Sequence, residues 1–166
     1  MIKELITTKV KLKLVEKSDA EKIHLLRTNQ NVAKYINRDI TLSIKDIELF
    51  IEERLQDYDN ILFYKIEIIP SLELVGTIVL KNFDREKAYA EIGYELFPQF
   101  QGQGLMTIAS KIIIDMAFEV LGLKELEAFI NKDNLKSRKL LERLEFKKTK
   151  KKDSKYPNNI IYRLKY

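Results

Sequence analysis

The sequence predicts an α+β (mixed α/β) fold in a single domain, and three observations carry the prediction. Alternating or β-branched runs separated by polar turns dominate up to Leu96, as in antiparallel strands. At Leu105 the hydrophobic period changes from that of a strand to that of a helix. Beyond that helix, strand and helix alternate, which makes a sheet partly parallel near its centre with helices packed on it. A chain of 166 residues fits one domain, 1–166, and buries enough surface to need no staples.

Each element has its own signal. Val10, Leu12 and Leu14 alternate with Lys11 and Lys13, a half-buried strand. Ser18, Asp19, Ala20 and Glu21 form a capping-box pattern, so a helix starts there and runs to about Arg27. Ser43 opens a second helix with an apolar stripe of Ile44, Ile47, Phe50, Ile51 and Leu55. The runs 61–69 and 74–80 flank Pro70 and Ser71 and read as a hairpin; 88–96 is the next strand. Leu105, Ile108, Ala109, Ile112, Met116, Ala117 and Val120 share one helical face, and Gly122 caps that helix. Residues 125–130 form a strand, Asn134 caps a helix over 135–144, and 146–149 and 160–166 close the sheet.

Composition removes whole classes of chemistry. With no cysteine there is no disulfide, thiolate metal site or cysteine nucleophile. His24 is the only histidine, which excludes a multi-histidine metal site and argues against a serine–histidine triad; His24 itself reads as a half-buried helix residue. No metal is expected. No uncharged apolar run could span a bilayer and 1–10 lacks the core of a signal peptide, so a cytoplasmic protein is expected. The net charge of +5 suits an anionic ligand, and much of it sits in Lys147, Lys148, Lys150, Lys151, Lys152 and Lys155. That run reads as a solvated turn between strands, with a phosphate or RNA contact as the other reading; Tyr156 is its one aromatic, too few for a stacking platform.

The segment from Gln99 to Gly104 lies between a strand and the best helix. A helix N-terminus offers unpaired amides and the positive end of the dipole. Gly102 and Gly104 permit close approach, so the amides of Gln101, Gly102, Gln103, Gly104, Leu105 and Met106 could converge on a pyrophosphate; a plain tight turn is the alternative. Leu105 and Met106 follow Gly104 where a Walker loop needs Lys and Ser/Thr, and Thr107 stands where a Rossmann fingerprint needs glycine.

Gln99-x-x-Gly102-x-Gly104 resembles the Gln/Arg-x-x-Gly-x-Gly/Ala signature of the GNAT acetyltransferase superfamily. The strand from Ala90 to Leu96, Asn131-x-x-Asn134-x-x-Ser137 with Leu140, Leu141 and Phe146, and Arg27-x-Asn29 with Tyr35 extend the resemblance over nearly the whole chain. They are similar to the branch of ribosomal-protein alanine N-acetyltransferases and their small-molecule relatives. Two departures stand out: Glu145 replaces a glycine before Phe146, and Ile108 replaces a glutamate early in the central helix.

The resemblance implies a GNAT-like fold with about seven strands, splayed at a cleft for acetyl-CoA, and helices on both faces. It implies that Leu96 and Phe97 pair with the pantetheine arm, with an N–H near Phe97 as oxyanion donor, and that Asn131 and Asn134 reach the pantetheine amides. Asn134 also reads as a simple helix cap. Glu91 is the expected base for the amine, directly or through water, with Glu95 as the rival carboxylate. Ser137 would protonate the leaving thiolate, with Tyr94 as a substitute that also lines the substrate side. Arg27, Asn29 and Tyr35 would shape the amine pocket. The expected partners are acetyl-CoA and a primary amine, from a protein N-terminus or a small molecule, with no membrane and no DNA; a homodimer is allowed. A non-catalytic acetyl-CoA sensor and an RNA- or ribosome-associated protein using the lysine run are the alternative functions.

Overall fold

The computed structural model describes residues 2–166. Eight strands form one sheet: β1 (Glu4–Ile6), β2 (Val10–Leu14), β3 (Ile61–Ile68), β4 (Glu73–Asp84), β5 (Tyr89–Leu96), β6 (Glu125–Asn131), β7 (Lys147–Lys152) and β8 (Asn159–Lys165). Their order is β1-β2-β3-β4-β5-β6-β8-β7. Every pairing is antiparallel except β5 with β6. The helices are α1 (Ala20–Thr28), α2 (Gln30–Ala33), α3 (Ile44–Gln56), α4 (Leu105–Asp115) and α5 (Leu135–Arg143).

Strand alternation divides the apolar residues between two cores. Leu12, Tyr64, Ile78, Ala90, Ile92 and Leu126 pack with Ala109 and Ile113 of α4 and Leu141 of α5. Phe63, Leu74 and Phe97 pack with Ile23 and Leu26 of α1 and Ile47 and Ile51 of α3. Helices therefore cover both faces, as expected, and the sheet has one strand more than expected. No helix among the described residues is long and apolar enough to cross a membrane.

Several local expectations are corrected. The first helix is entered through a 3-10 turn, Lys17–Asp19, where the Glu16 amide donates to the Asp19 carboxylate at 2.8 Å; Ser18 does not cap it. The central helix is α-helical only to Asp115. Met116–Val120 is a π turn, closed by the Leu121 amide on the Met116 carbonyl at 3.0 Å, and Gly122 then takes φ +68° as its cap. The lysine run is mostly strand: Lys147–Lys152 is β7 itself, at the sheet edge, where charge discourages pairing with another chain.

At the end of α5 the Phe146 amide bonds the Leu141 carbonyl and the Glu145 amide bonds the Glu142 carbonyl, a Schellman motif. It forces Glu145 to φ +68°. A side chain there costs about 1 kcal/mol that glycine would not. Glu145→Gly is expected to raise the thermal midpoint by about 2–4 °C for a chain of this size. An unchanged or lowered midpoint would show that the motif carries no strain.

Candidate active site

The site opens where β5 and β6 part. Their pairing covers Tyr89, Ala90 and Glu91 against Glu125, Leu126 and Glu127, and then stops. Both strands continue, β5 held by β4 and β6 by β8. Hydrogen-bond phase decides which groups face the opening. The Phe97 amide donates to the Val75 carbonyl at 2.9 Å. In an antiparallel ladder the phase alternates, so the amides of Tyr94 and Leu96 turn to the β6 side. The Phe97 amide, expected with Leu96 to pair with the pantetheine arm, is thus committed to β4, and the Leu96 amide is the one that faces the opening.

Past Leu96 the chain makes a 3-10 turn, Pro98–Phe100, and reaches α4 through Gly102 and Gly104, both at φ +78°. A Cβ at either glycine would meet nothing within 4 Å. The amides of Gly102, Gln103, Gly104, Leu105, Met106 and Thr107 find no acceptor among the described residues. Six such donors at a helix N-terminus fit a pyrophosphate. The Gln101 amide does not join them, since it closes the turn on the Pro98 carbonyl at 3.2 Å. The Gln101 side chain instead spans from the Leu96 carbonyl at 3.1 Å to Lys136 at 2.9 Å. Lys136, and Arg143 against the Thr107 hydroxyl at 3.4 Å, bring two cations to the cradle. Sequence reading missed both. Their spacing of seven on α5 puts them on one face, a signal that pointed only to a solvated helix.

The opening leads into a cleft of about 330 Å³. Tyr94, Asn131, Asn134 and Ser137 line one part of it and Arg27, Tyr35, Arg38 and Arg54 another, with Glu95 between. Asn134 caps α5 by accepting from the Ser137 amide at 3.1 Å, and Asn131 accepts from the Asp133 amide at 2.9 Å. Each keeps its NH2 group outside these bonds. The Tyr94 hydroxyl is buried without a hydrogen-bond partner. Burial pushes its ionisation well above the usual phenol range; Ser137 is near enough to oppose that, though the two do not meet with hydrogen-bond geometry.

Glu91 and Glu95 share the face of β5 opposite Ile92 and Leu96, but only Glu95 lines the cleft. Glu91 lies 3.8 Å from Lys81, a residue of the cleft wall. Glu95 accepts from Arg38 at 2.7 Å and from Arg27 at 3.4 Å, one guanidinium on each oxygen. Arg27 also stacks on Phe50, 4.0 Å from its ring centre. Burial pushes Arg27 down to about 10; Glu95 works against that, while Arg38 and Arg54 repel it further. Asn29 is not part of the cleft lining. Its side chain accepts from the amides of Asn31 and Val32 and caps α2. His24 meets the Leu42 carbonyl at 2.7 Å, a half-buried helix residue as expected.

Residues 9–147 match the family described as Acetyltransferase (GNAT) domain. The chain belongs to the GNAT acetyltransferases. One relative, "Uncharacterized N-acetyltransferase p20" of Bacillus licheniformis, is 30% identical over 148 residues, which cover 87% of this chain and 82% of that protein. Two solved acetyltransferase structures share the fold. The ribosomal-protein-S5-alanine acetyltransferase of Vibrio fischeri has a TM-score of 0.84 at 20% identity, covering 98% of this chain and 96% of its own. The spermidine N-acetyltransferase of Vibrio cholerae, solved with CoA and spermine, has a TM-score of 0.83 at 19% identity, covering 95% and 94%. This GNAT protein is an acetyl-CoA-dependent N-acetyltransferase. The parted strands and the amide cradle fit the extended arm and the pyrophosphate of that donor.

Proposed function

We propose that the protein acetylates a primary amine, on a protein N-terminus or a small molecule, by direct attack on the thioester of acetyl-CoA. The observation that carries this reading is that the β5–β6 opening leads into one cleft lined both by the arginines and by Tyr94, whose buried hydroxyl has no partner. Acetyl-CoA supplies the acyl group, and its C–S bond breaks as the amine forms a C–N bond. Leu96 and Tyr94 hold the extended arm by their backbone, and the Leu96 N–H stabilises the developing oxyanion. Asn131 and Asn134 support the arm from β6 and α5.

Two protons must move. One leaves the attacking nitrogen, and Glu91 takes it through water at the wall where Lys81 stands. Glu95 lies nearer, but both of its oxygens are engaged by guanidiniums. The other proton goes to the departing sulfur from the Tyr94 hydroxyl, with Ser137 beside it. An assay of thiol release with acetyl-CoA and a panel of primary amines tests the reading. Acetyl-CoA binding without release from any amine would leave a sensor. Glu91→Gln is expected to lower kcat/KM about tenfold, an effect that shrinks as pH rises and the amine deprotonates by itself. A flat ratio across pH would remove Glu91 as the base.

Thiolate is a good leaving group, with an ordinary pKa near 8.5, so its protonation is worth only about tenfold. Tyr94→Phe is expected to lower kcat by that amount, with little change in KM for acetyl-CoA. If Tyr94 and Ser137 act as one unit, the Tyr94→Phe/Ser137→Ala double variant will be no slower than the slower single variant. Multiplying effects would mean separate roles.

A further inference from the structure

The charges of the acceptor cleft do not balance. Arg27, Arg38, Arg54 and Lys81 line it, against one carboxylate, Glu95. Glu95 serves two guanidiniums at once. The Nε atoms of Arg27 and Arg38 are buried with no acceptor. Arg54 lies 3.3 Å from the Phe50 ring centre and donates to the Phe50 carbonyl at 2.9 Å. Its nearest acid is Glu53 at 3.9 Å, a side chain that is itself largely exposed. Lys81 has Glu91 at 3.8 Å, outside the lining. Phe50 is thus flanked by two guanidiniums, one of which, Arg54, lacks a close counter-charge.

Arg27 and Arg38 are largely buried and Arg54 half-buried, so these like charges repel one another with little water between them, whereas Lys81 is exposed and keeps its hydration. Burial lowers the Arg54 pKa, as it does that of Arg27. A polyamine would add positive charge to this wall and would find its only carboxylate occupied. A carboxylate or phosphate would accept from the unused guanidinium donors in charge-assisted bonds. These arginines stand on α1, on α3 and after α2, whereas the donor's pyrophosphate has its own cradle at Gly102–Thr107.

We propose that the acceptor carries an anionic group, carboxylate or phosphate, beside the amine it presents, and that Arg54 with Arg38 selects it. This inference rests on the acetyltransferase reading above. Phosphoethanolamine, β-alanine, a peptide with aspartate after its N-terminal residue, ethanolamine and spermidine are compared as acceptors at saturating acetyl-CoA. Phosphoethanolamine is expected to exceed ethanolamine in kcat/KM by about tenfold or more, as one charge-assisted bond allows. Spermidine is expected to be the poorest. Among the anionic amines, the best acceptor separates a phosphorylated small molecule, an amino acid and an acidic protein N-terminus as the source.

Arg54→Gln is expected to bring the phosphoethanolamine-to-ethanolamine ratio near one, through KM, and Arg54→Lys to keep part of it. Spermidine or ethanolamine equal to the anionic amines, or an unchanged ratio in Arg54→Gln, overturns the inference. Calorimetry of phosphoethanolamine with the donor-loaded protein separates the two claims. With no turnover of any amine the acetyltransferase reading fails. Phosphoethanolamine binding that weakens about fivefold or more in Arg54→Gln then still upholds the anion site, and binding that does not weaken overturns it.

Discussion

Gly104→Glu is expected to abolish measurable acetyl-CoA binding in calorimetry while the protein stays folded. Gly104 sits at φ +78°, and a Cβ there meets nothing within 4 Å, so the substitution carries only backbone strain of about 1–2 kcal/mol. The consequence for the ligand is far larger. The side chain projects from within a series of six amides, from Gly102 to Thr107, that have no acceptor in the described chain. Its carboxylate competes for those donors and repels the pyrophosphate. Losing several charge-assisted bonds at about 1.5–3 kcal/mol each takes a micromolar ligand out of range. Gly104→Ala is the control: it carries the same strain without the charge and keeps weakened binding. Wild-type affinity within threefold in the glutamate variant would place the pyrophosphate elsewhere.

The second large effect concerns stability. Glu127→Gln is expected to destabilise the fold by about 2–3 kcal/mol, a fall of roughly 4–12 °C in thermal midpoint. Glu127 is fully buried on β6 and accepts from Lys151 at 2.8 Å, Arg163 at 2.7 Å and the Tyr89 hydroxyl at 3.0 Å. The amide keeps the shape but turns an NH2 toward a cation. Because Lys151 and Arg163 are partly exposed and can rehydrate, the cost falls below that of a fully buried pair. The pH dependence has a definite sign. Burial alone would raise the Glu127 carboxyl, but hydrogen bonds from Lys151, Arg163 and Tyr89 outweigh it and hold the group below its ordinary range. A depressed folded value means stabilisation that is complete above the unfolded pKa, near about 4.3, and is lost as pH falls through the folded value. The gap between wild type and variant in urea unfolding should therefore be full at neutral pH and narrow below about pH 4. A gap that stays constant into acid would mean that shape, not charge, carries the effect.

The parts of this molecule that could be read from the chain are those where side-chain chemistry and backbone need coincide. Gly102 and Gly104 were legible because positive φ and the start of a helical period both leave marks on the sequence. So was Gly122 as a cap, and Glu145 stood out as a residue in place of a glycine. β1 and α2 were not, since three or four residues are too few to show a period. Hydrogen-bond phase has no side-chain signature at all, so nothing in the residues shows that the Phe97 amide turns to β4 and the Leu96 amide to the opening. The spacing of Glu91 and Glu95 puts both on one face of β5, but not which of them meets the cleft; that depends on where β6 stops pairing. Arg38 and Arg54, which line the cleft, belong to no motif in the sequence. Arg54 stands four residues after Phe50, so one helical turn stacks the two, yet only the sheet's position shows what lies beyond them. Asn29 shows the converse, where a motif match was absorbed by a helix cap.

The short β5–β6 ladder means that the sheet resembles an open book, a leaf of five strands and a leaf of three joined along a spine of three residue pairs. The donor, laid along the open margin as proposed above, would complete the binding of the two leaves. Part of its affinity is then cohesion of the protein itself, and what strengthens one strengthens the other. The fold is then firmest while donor or spent CoA is bound and loosest once CoA has left.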